Sequence, residues 1–347
     1  MVELKRGFGF WTIIALLLTS MVGTGMFFGT AIGAERAGNA VLISWILVVA
    51  IAVYVAACFG ELTAMLPSAG GVYEFSKKAY GRFISFIVGW LAWVMANVGF
   101  IILLIAAFDY VLPASFSTPV FLWVSYKILI AIGLIILLNL VAYLGVDTSA
   151  ALLVMFAIVT IIMFLSIIIP GFLKLNLANF TPFFSKPLFF IFAAMFFMLE
   201  SLMGWESASF LSEETKNPQK TLPKALIIST LVAGILAVLA SFVSLGIIPW
   251  QHLIASNAPF SDVAGVLFGP KGAKLMGFGV MLALIGSAAG VVISTPRLLL
   301  AMARDKLFIS QLAAIHPKRR TPYKAIIFQT IVSIIVILFG FGKYRQN

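Results

Sequence analysis

Charge is what this chain has least of. Of its 347 residues only 10% are Asp, Glu, Lys or Arg, 62% are hydrophobic, and the mean hydropathy is +1.13. Soluble domains carry about 25% charged residues, so this composition excludes both a water-soluble globule and a disordered chain. A single cysteine, Cys58, excludes a disulfide framework and a cysteine-based metal site. The two histidines, His252 and His316, fall in loops, with no H-E-x-x-H pattern, Ser–His pair or aspartate pair nearby. An intramembrane enzyme therefore has no machinery here, and neither a metal nor a cofactor is expected. A channel's filter loop or charged ring is also missing. The net charge of +11 does not mark a nucleic-acid surface, because the lysines and arginines sit in short loops between apolar runs.

What is present is a series of long apolar runs. A bilayer core needs roughly 20 apolar residues per helix, and that ruler divides the chain into nine spans at about 11–33, 40–66, 83–112, 121–144, 149–172, 188–211, 223–248, 274–303 and 323–341. The fold class expected is an all-α polytopic membrane protein in one domain, residues 1–347, with no soluble portion. The first run lacks an A-x-A cleavage pattern and is read as a span, not a removed signal. With the N-terminus in the cytoplasm, 15 of the 23 lysines and arginines lie inside, and eight, including Lys271, Lys274, Lys343 and Arg345, lie outside. The positive-inside rule favours that orientation in the cell membrane and puts the C-terminus outside. "DKLFISQLAAIHP" (305–317) is expected as a short interfacial helix, and "EETKNPQKTLP" (213–223) as a loop of local salt bridges and helix caps.

Two spans carry interruptions. In the first, Gly23-Thr24-Gly25 falls within "TSMVGTGMFF", where an unwound backbone survives only if it is buried in protein or lines a cavity. Close packing of small residues accounts for glycines equally well, and Gly29 and Gly33 suit it. In the sixth, Glu200 and Ser201 lie near the middle, followed by Gly204 and by Glu206, which reads as either a helix–helix anchor or a gating and ion-coupling residue. A carboxylate at that depth costs at least about 2.5 kcal/mol on insertion scales and faces a polar interior as a rule. Glu200 could pair with a cationic substrate, carry a proton, or be a structural carboxyl bonded to a neighbouring helix. Two interrupted spans, five apart, match an inverted-repeat transporter whose broken helices hold substrate at the midplane. The first repeat would cover about 11–172 and the second about 188–341. Arg297 is a gate candidate, or pairs structurally with Glu61 or Glu206.

Five stretches in order give a more specific signal: "SMVGTGMFFGTAIG" (20–33), "GELTAMLPSAGGVYEFSKKAYG" (60–81), "GWESASFLSEETKNPQKTLPKAL" (204–226), "STPRLLLAMARDKLF" (294–308) and "HPKRRTPYKAI" (316–326). With these the chain resembles the amino acid permeases of the amino acid-polyamine-organocation superfamily, with the LeuT-type fold. The resemblance implies a secondary transporter moving amino acids by alternating access, coupled to protons or working by exchange. It implies that the substrate carboxylate meets the backbone of Gly23, Thr24 and Gly25. The amine would meet carbonyls around Met21 and Val22 and in the sixth span around Met198, Leu199, Glu200 and Ser201. Asn97 matches a substrate-facing position, with an interhelical hydrogen bond as its alternative. Ser294 and Thr295 stand where sodium-coupled members bind an ion, whereas the fifth span lacks the lysine that some proton-coupled relatives place there.

The chain also departs from the pattern. The family's frequent aromatic gate in span six is Glu200 here, and a tryptophan of some exchangers aligns near Val291. The family has more spans than these nine, so the chain is read as lacking the C-terminal helices. The alternatives are a polyamine or cationic amino acid transporter, and a non-transporting amino acid sensor or truncated permease remnant. The partners expected are an amino acid or related amine, a possible proton or sodium ion, and the bilayer.

Overall fold

The computed structural model describes residues 3–112, 114–117, 119–121 and 124–341. Its helices follow in chain order: α1 (Phe10–Met21), α2 (Thr24–Ala37), α3 (Val41–Met65), α4 (Val72–Asp109), α5 (Tyr126–Leu144), α6 (Val146–Leu173) and α7 (Phe189–Met198). After them come α8 (Trp205–Phe210), α9 (Pro218–Ile247), α10 (Trp250–Leu253), α11 (Pro259–Ser294), α12 (Pro296–Arg304) and α13 (Tyr323–Phe341). A small antiparallel ribbon, β1 (Pro119–Phe121) with β2 (Val124–Ser125), precedes α5. Helices dominate because hydrocarbon offers the backbone no hydrogen-bond partners, and a helix satisfies its own.

Eight helical stretches among the described residues are long and apolar enough to cross a membrane. One of them, Thr24–Met65, is two helices. At Gly38, φ is +61°, and α3 turns back beside α2. With α1 continuing α2 across a break, the expected nine spans are all present among the described residues, and Lys343 and Arg345 lie outside them. Span three begins earlier than expected because an amphipathic segment, 72–80, joins it through Gly81, where φ is +81°.

Lipid tails are as apolar as leucine, so helices are held together here by close packing and hydrogen bonds. Glycines set the closest approaches. A Cβ on Gly33 would lie 2.4 Å from Val41 and 2.5 Å from the Met198 sulfur, and one on Gly29 would lie 3.0 Å from the Trp45 ring. The contacts also display the inverted repeat. Helix α1 rests on α9 as α7 rests on α3, and the mates α3 and α9, α4 and α11, α5 and α13 pack on each other.

The end of the bundle that carries the N-terminus is tied by polar groups. Arg297 and Glu214 are both fully buried and form a bidentate pair, Nε to Oε2 at 2.7 Å and Nη2 to Oε1 at 3.0 Å. The Glu214 carbonyl accepts the Gly7 and Phe8 amides, and the Phe8 carbonyl accepts the Lys216 amide. Arg304 grips Glu213, whose Oε1 also takes the Ala69 amide. The expected local salt bridges in "EETKNPQKTLP" are thus replaced by bonds from both acids to arginines of α12. Arg297 pairs with neither Glu61, which is exposed, nor Glu206.

The interfacial helix expected at 305–317 is reduced to a 3₁₀ turn at Ser310–Ala313. Asp305 ends α12 by accepting from Tyr73 Oη and Lys77 Nζ, each at 2.6 Å, and Lys306 then adopts φ +58°. Burial would raise the Asp305 carboxyl. The hydrogen bonds from Lys77 and Tyr73, with the charges of Lys77 and Arg82, outweigh it and hold the group below the usual carboxylate range.

Glu214→Gln leaves a buried guanidinium without a counter-charge and should cost about 3–5 kcal/mol. Thermal unfolding in detergent should show a large fall for it and almost none for Glu61→Gln; equal effects would refute the latch. Asp305→Asn should cost about 1 kcal/mol at neutral pH. Because the folded-state carboxyl is depressed, the wild-type advantage should be full above the ordinary carboxylate pKa of about 3.9 and shrink only as pH falls below it. A gap that narrows between pH 8 and 5 would contradict this assignment.

Candidate functional site

Helix α1 stops at Met21, because the next amides turn back on their own carbonyls. The Gly23 N–H bonds the Met21 carbonyl at 3.0 Å, and the Met26 N–H bonds the Gly23 carbonyl at 3.1 Å. The Thr19 and Val22 carbonyls thereby lose their regular i+4 partners. The interruption is Val22 and Gly23 alone. Thr24 and Gly25, expected in the break, are the first residues of α2, which starts without a side-chain cap on Gly23. Early amides of a helix have no intrahelical acceptor, so they favour an anion.

The second interruption is longer. After Met198 the chain tightens to a 3₁₀ turn, Leu199–Leu202, extends at Met203 and swings through Gly204, with φ +141°, into α8. Glu206 lies in the first turn of α8, part-buried, directly after this swing.

Tertiary packing sets these two breaks against each other. A Cβ on Gly25 would fall 2.4 Å from Ser201 Oγ and 2.8 Å from Ser201 Cα. One on Gly204 would fall 3.0 Å from the Ser20 carbonyl carbon. Gly290 of α11 presses on the Ser20 hydroxyl, with its Cβ position 2.4 Å away, and Leu103 of α4 faces Gly23 at 3.6 Å. Two hydroxyls at this junction, Ser20 Oγ and Ser201 Oγ, are buried and have no hydrogen-bond partner among the described residues. Buried polar atoms are partnered as a rule, so these mark a place where a polar ligand would complete the structure.

Met21, Val22, Gly23, Thr24, Gly25, Met198, Ser201 and Gly204 all gather at or beside this junction. Glu200 and Leu199 are exposed, as are Phe196 and Met203, and the Glu200 carboxylate makes no hydrogen bond or ion pair among the described residues. Asn97 is buried, donates to the Trp93 carbonyl and accepts from the Ser333 hydroxyl of α13 at 3.1 Å. It lies six residues from Leu103, about 9 Å along the helix. The hydroxyls of Ser294 and Thr295 both donate to the Val291 carbonyl, and Arg297 belongs to the buried latch. Ser20, Leu103 and Gly290 were not singled out from sequence. The small-residue run "GSAAG" at 286–290 was the available signal for the last.

Two interrupted helices meeting back to back, walled by α4 and α11, define a membrane transporter of the LeuT type. A solved structure of that architecture, MhsT in complex with L-phenylalanine, superposes with a TM-score of 0.60 over 97% of this chain and 80% of its own, at 14% identity. The family described as amino acid permease matches residues 8–346, and the chain belongs to it.

Its relatives include the branched-chain amino acid permease BcaP of Bacillus subtilis, 28% identical over 96% of this chain and 75% of the relative. The serine/threonine exchanger SteT of the same organism is 27% identical over 97% and 77%. The human large neutral amino acids transporter small subunit 2 is 28% identical over 97% of this chain and 65% of its own length.

Gly25→Ala drives a methyl into Ser201 and should destabilise by about 1–3 kcal/mol through overpacking. Gly99→Ala, at a helical position with open space, should be neutral or gain up to about 1 kcal/mol. Equal unfolding midpoints for the two variants in detergent would show that the breaks do not touch.

Proposed function

We propose that this permease carries neutral amino acids across the cell membrane by alternating access, with its N-terminus in the cytoplasm. The observation carrying this reading is the junction of the two breaks. The free amides at the start of α2, at Thr24 and Gly25, suit the carboxylate common to all amino acids. The released carbonyls of Thr19 and Val22, with carbonyls in the turn from Met198 to Ser201, suit the α-amine. Those two groups are shared by every substrate, so the break supports the class, and the choice within it rests on what surrounds the break.

That surrounding carries no buried cation or ion pair among the described residues. Leu103 faces Gly23 and Val22 is buried beside it, the charge-free Ser20 and Ser201 hydroxyls complete the junction, and Glu200 stands on the exposed flank. This arrangement favours a neutral side chain over a polyamine or cationic one, in keeping with relatives named for branched-chain, serine/threonine and large neutral amino acids. Proton coupling is assigned to Glu206, a carboxylate beside the break with no cation on it among the described residues. The Ser294 and Thr295 hydroxyls, engaged on their own helix, give sodium less support.

In proteoliposomes, labelled leucine should enter and exchange, with neutral amino acids competing and arginine and putrescine not. Binding without counterflow would reduce the protein to a sensor. Stronger competition by arginine or putrescine would move the substrate class. Glu206→Gln should abolish the response of uptake to an imposed proton gradient while exchange persists; an unchanged response would remove Glu206 from coupling.

A further inference from the structure

Helices α6 and α11 share a seam that is closed at mid-bundle and flanks a groove running toward the end far from the N-terminus. In the middle they are pressed together: a Cβ on Gly286 would lie 2.7 Å from Phe156 Cβ, and one on Gly279 would lie 3.2 Å from Met163 Cγ. Farther along, a Cβ on Gly272 would meet Phe268 and Ala264 of its own helix first, with no atom of α6 among its three nearest neighbours. Gly269, with φ +76°, and Pro270 redirect α11 at that level.

On the outside of the bundle the two helices flank a groove of about 660 Å³, lined by Ile162, Ser166, Phe268, Leu275 and Leu282, with Lys271 among its walls. Small-molecule sites span about 300–1,000 Å³, so this one holds more than solvent. Its walls offer an occupant almost nothing polar, since the Ser166 hydroxyl is spent on the Met163 carbonyl at 2.7 Å.

Cations cluster only at the open end. Lys271 and Lys274 are exposed and make no ion pair among the described residues. Lys174, at the end of α6, donates to the Leu267 carbonyl at 2.9 Å. The acid nearest in sequence on α11, Asp262, is bound by the Ser256 hydroxyl and does not neutralise them. This end lies where α6 finishes, at headgroup level, and the groove below it opens to hydrocarbon. Long lysine side chains reach headgroups from such positions, and an unpaired lysine there favours an anionic head over a zwitterionic one by direct Coulomb attraction. An occupant must therefore join a long apolar chain to an anionic head.

We propose that the groove between α6 and α11 binds one anionic phospholipid, with an acyl chain along Ile162, Ser166, Leu275 and Leu282 and the phosphate at Lys271. The site is separate from the substrate junction, although α11 lines both. Native mass spectrometry of the detergent-purified protein, titrated with dioleoyl phosphatidylglycerol or dioleoyl phosphatidylcholine, tests it with identical chains and different heads. Phosphatidylglycerol should be retained as one molecule at roughly five-fold lower concentration, a preference of the size that one lysine at a headgroup gives.

Lys271→Gln should bring the two lipids level, whereas Lys318→Gln, at the other end of the bundle, should not. Ser166→Phe, filling the groove, should remove the first bound lipid of either kind. If that variant does not fold, Ile162→Trp at the exposed rim serves the same purpose. Equal retention of the two lipids by the wild type, or a preference untouched by Lys271→Gln, would overturn the proposal and leave only ordinary boundary lipid.

Discussion

Everything in this molecule follows from the cost of leaving a backbone amide or carbonyl unpaired in hydrocarbon. The constraint forces the spans to be helical, and it makes any interruption conspicuous. Here both interruptions are placed together, so each is shielded by the other and by α4 and α11. Gly25 against Ser201 and Gly204 against Ser20 are contacts that a side chain at either glycine would prevent. The same contacts that bury the breaks concentrate their unpaired groups in one spot.

The Arg297–Glu214 pair applies a related constraint at the end that carries the N-terminus. Two buried charges hold only as a pair, and this pair fastens α12 to the turn after α8, on which the N-terminal segment lies. The elements joined there, α8 and α12, continue directly from the broken span and from the wall formed by α11. A change of access at that end must therefore move the latch as one body or open it. Asp305, Tyr73 and Lys77 add a second tie between α12 and the start of α4.

Much of this was legible in the sequence. Span count follows from run length, because roughly 20 apolar residues is a physical minimum for crossing. The two interruptions were visible as Gly23-Thr24-Gly25, of which the structure keeps only Gly23 in the break, and as Glu200, Ser201, Gly204 and Glu206, since glycine and carboxyl groups are conspicuous in apolar runs. Partners across the fold were not legible. Arg297 had Glu61 and Glu206 as its candidate partners by depth, and it meets neither but Glu214, because of how α12 folds back. Asn97 could face a ligand or Ser333, and helix rotation decides between them. Glu200 falls on the exposed flank because the chain tightens to a 3₁₀ turn after Met198, which turns its side chain through an angle that an α-helical count does not give.

The sequence by itself determined the solvent, the number of spans, the positions of the breaks and the family, because these are properties of composition and of runs along one chain. The tertiary structure alone decided that the breaks meet, that Ser20, Leu103 and Gly290 join them, and that Glu213 and Glu214 serve the arginines of α12. Those are contacts between residues tens to hundreds of positions apart, fixed by where glycine lets two helices touch.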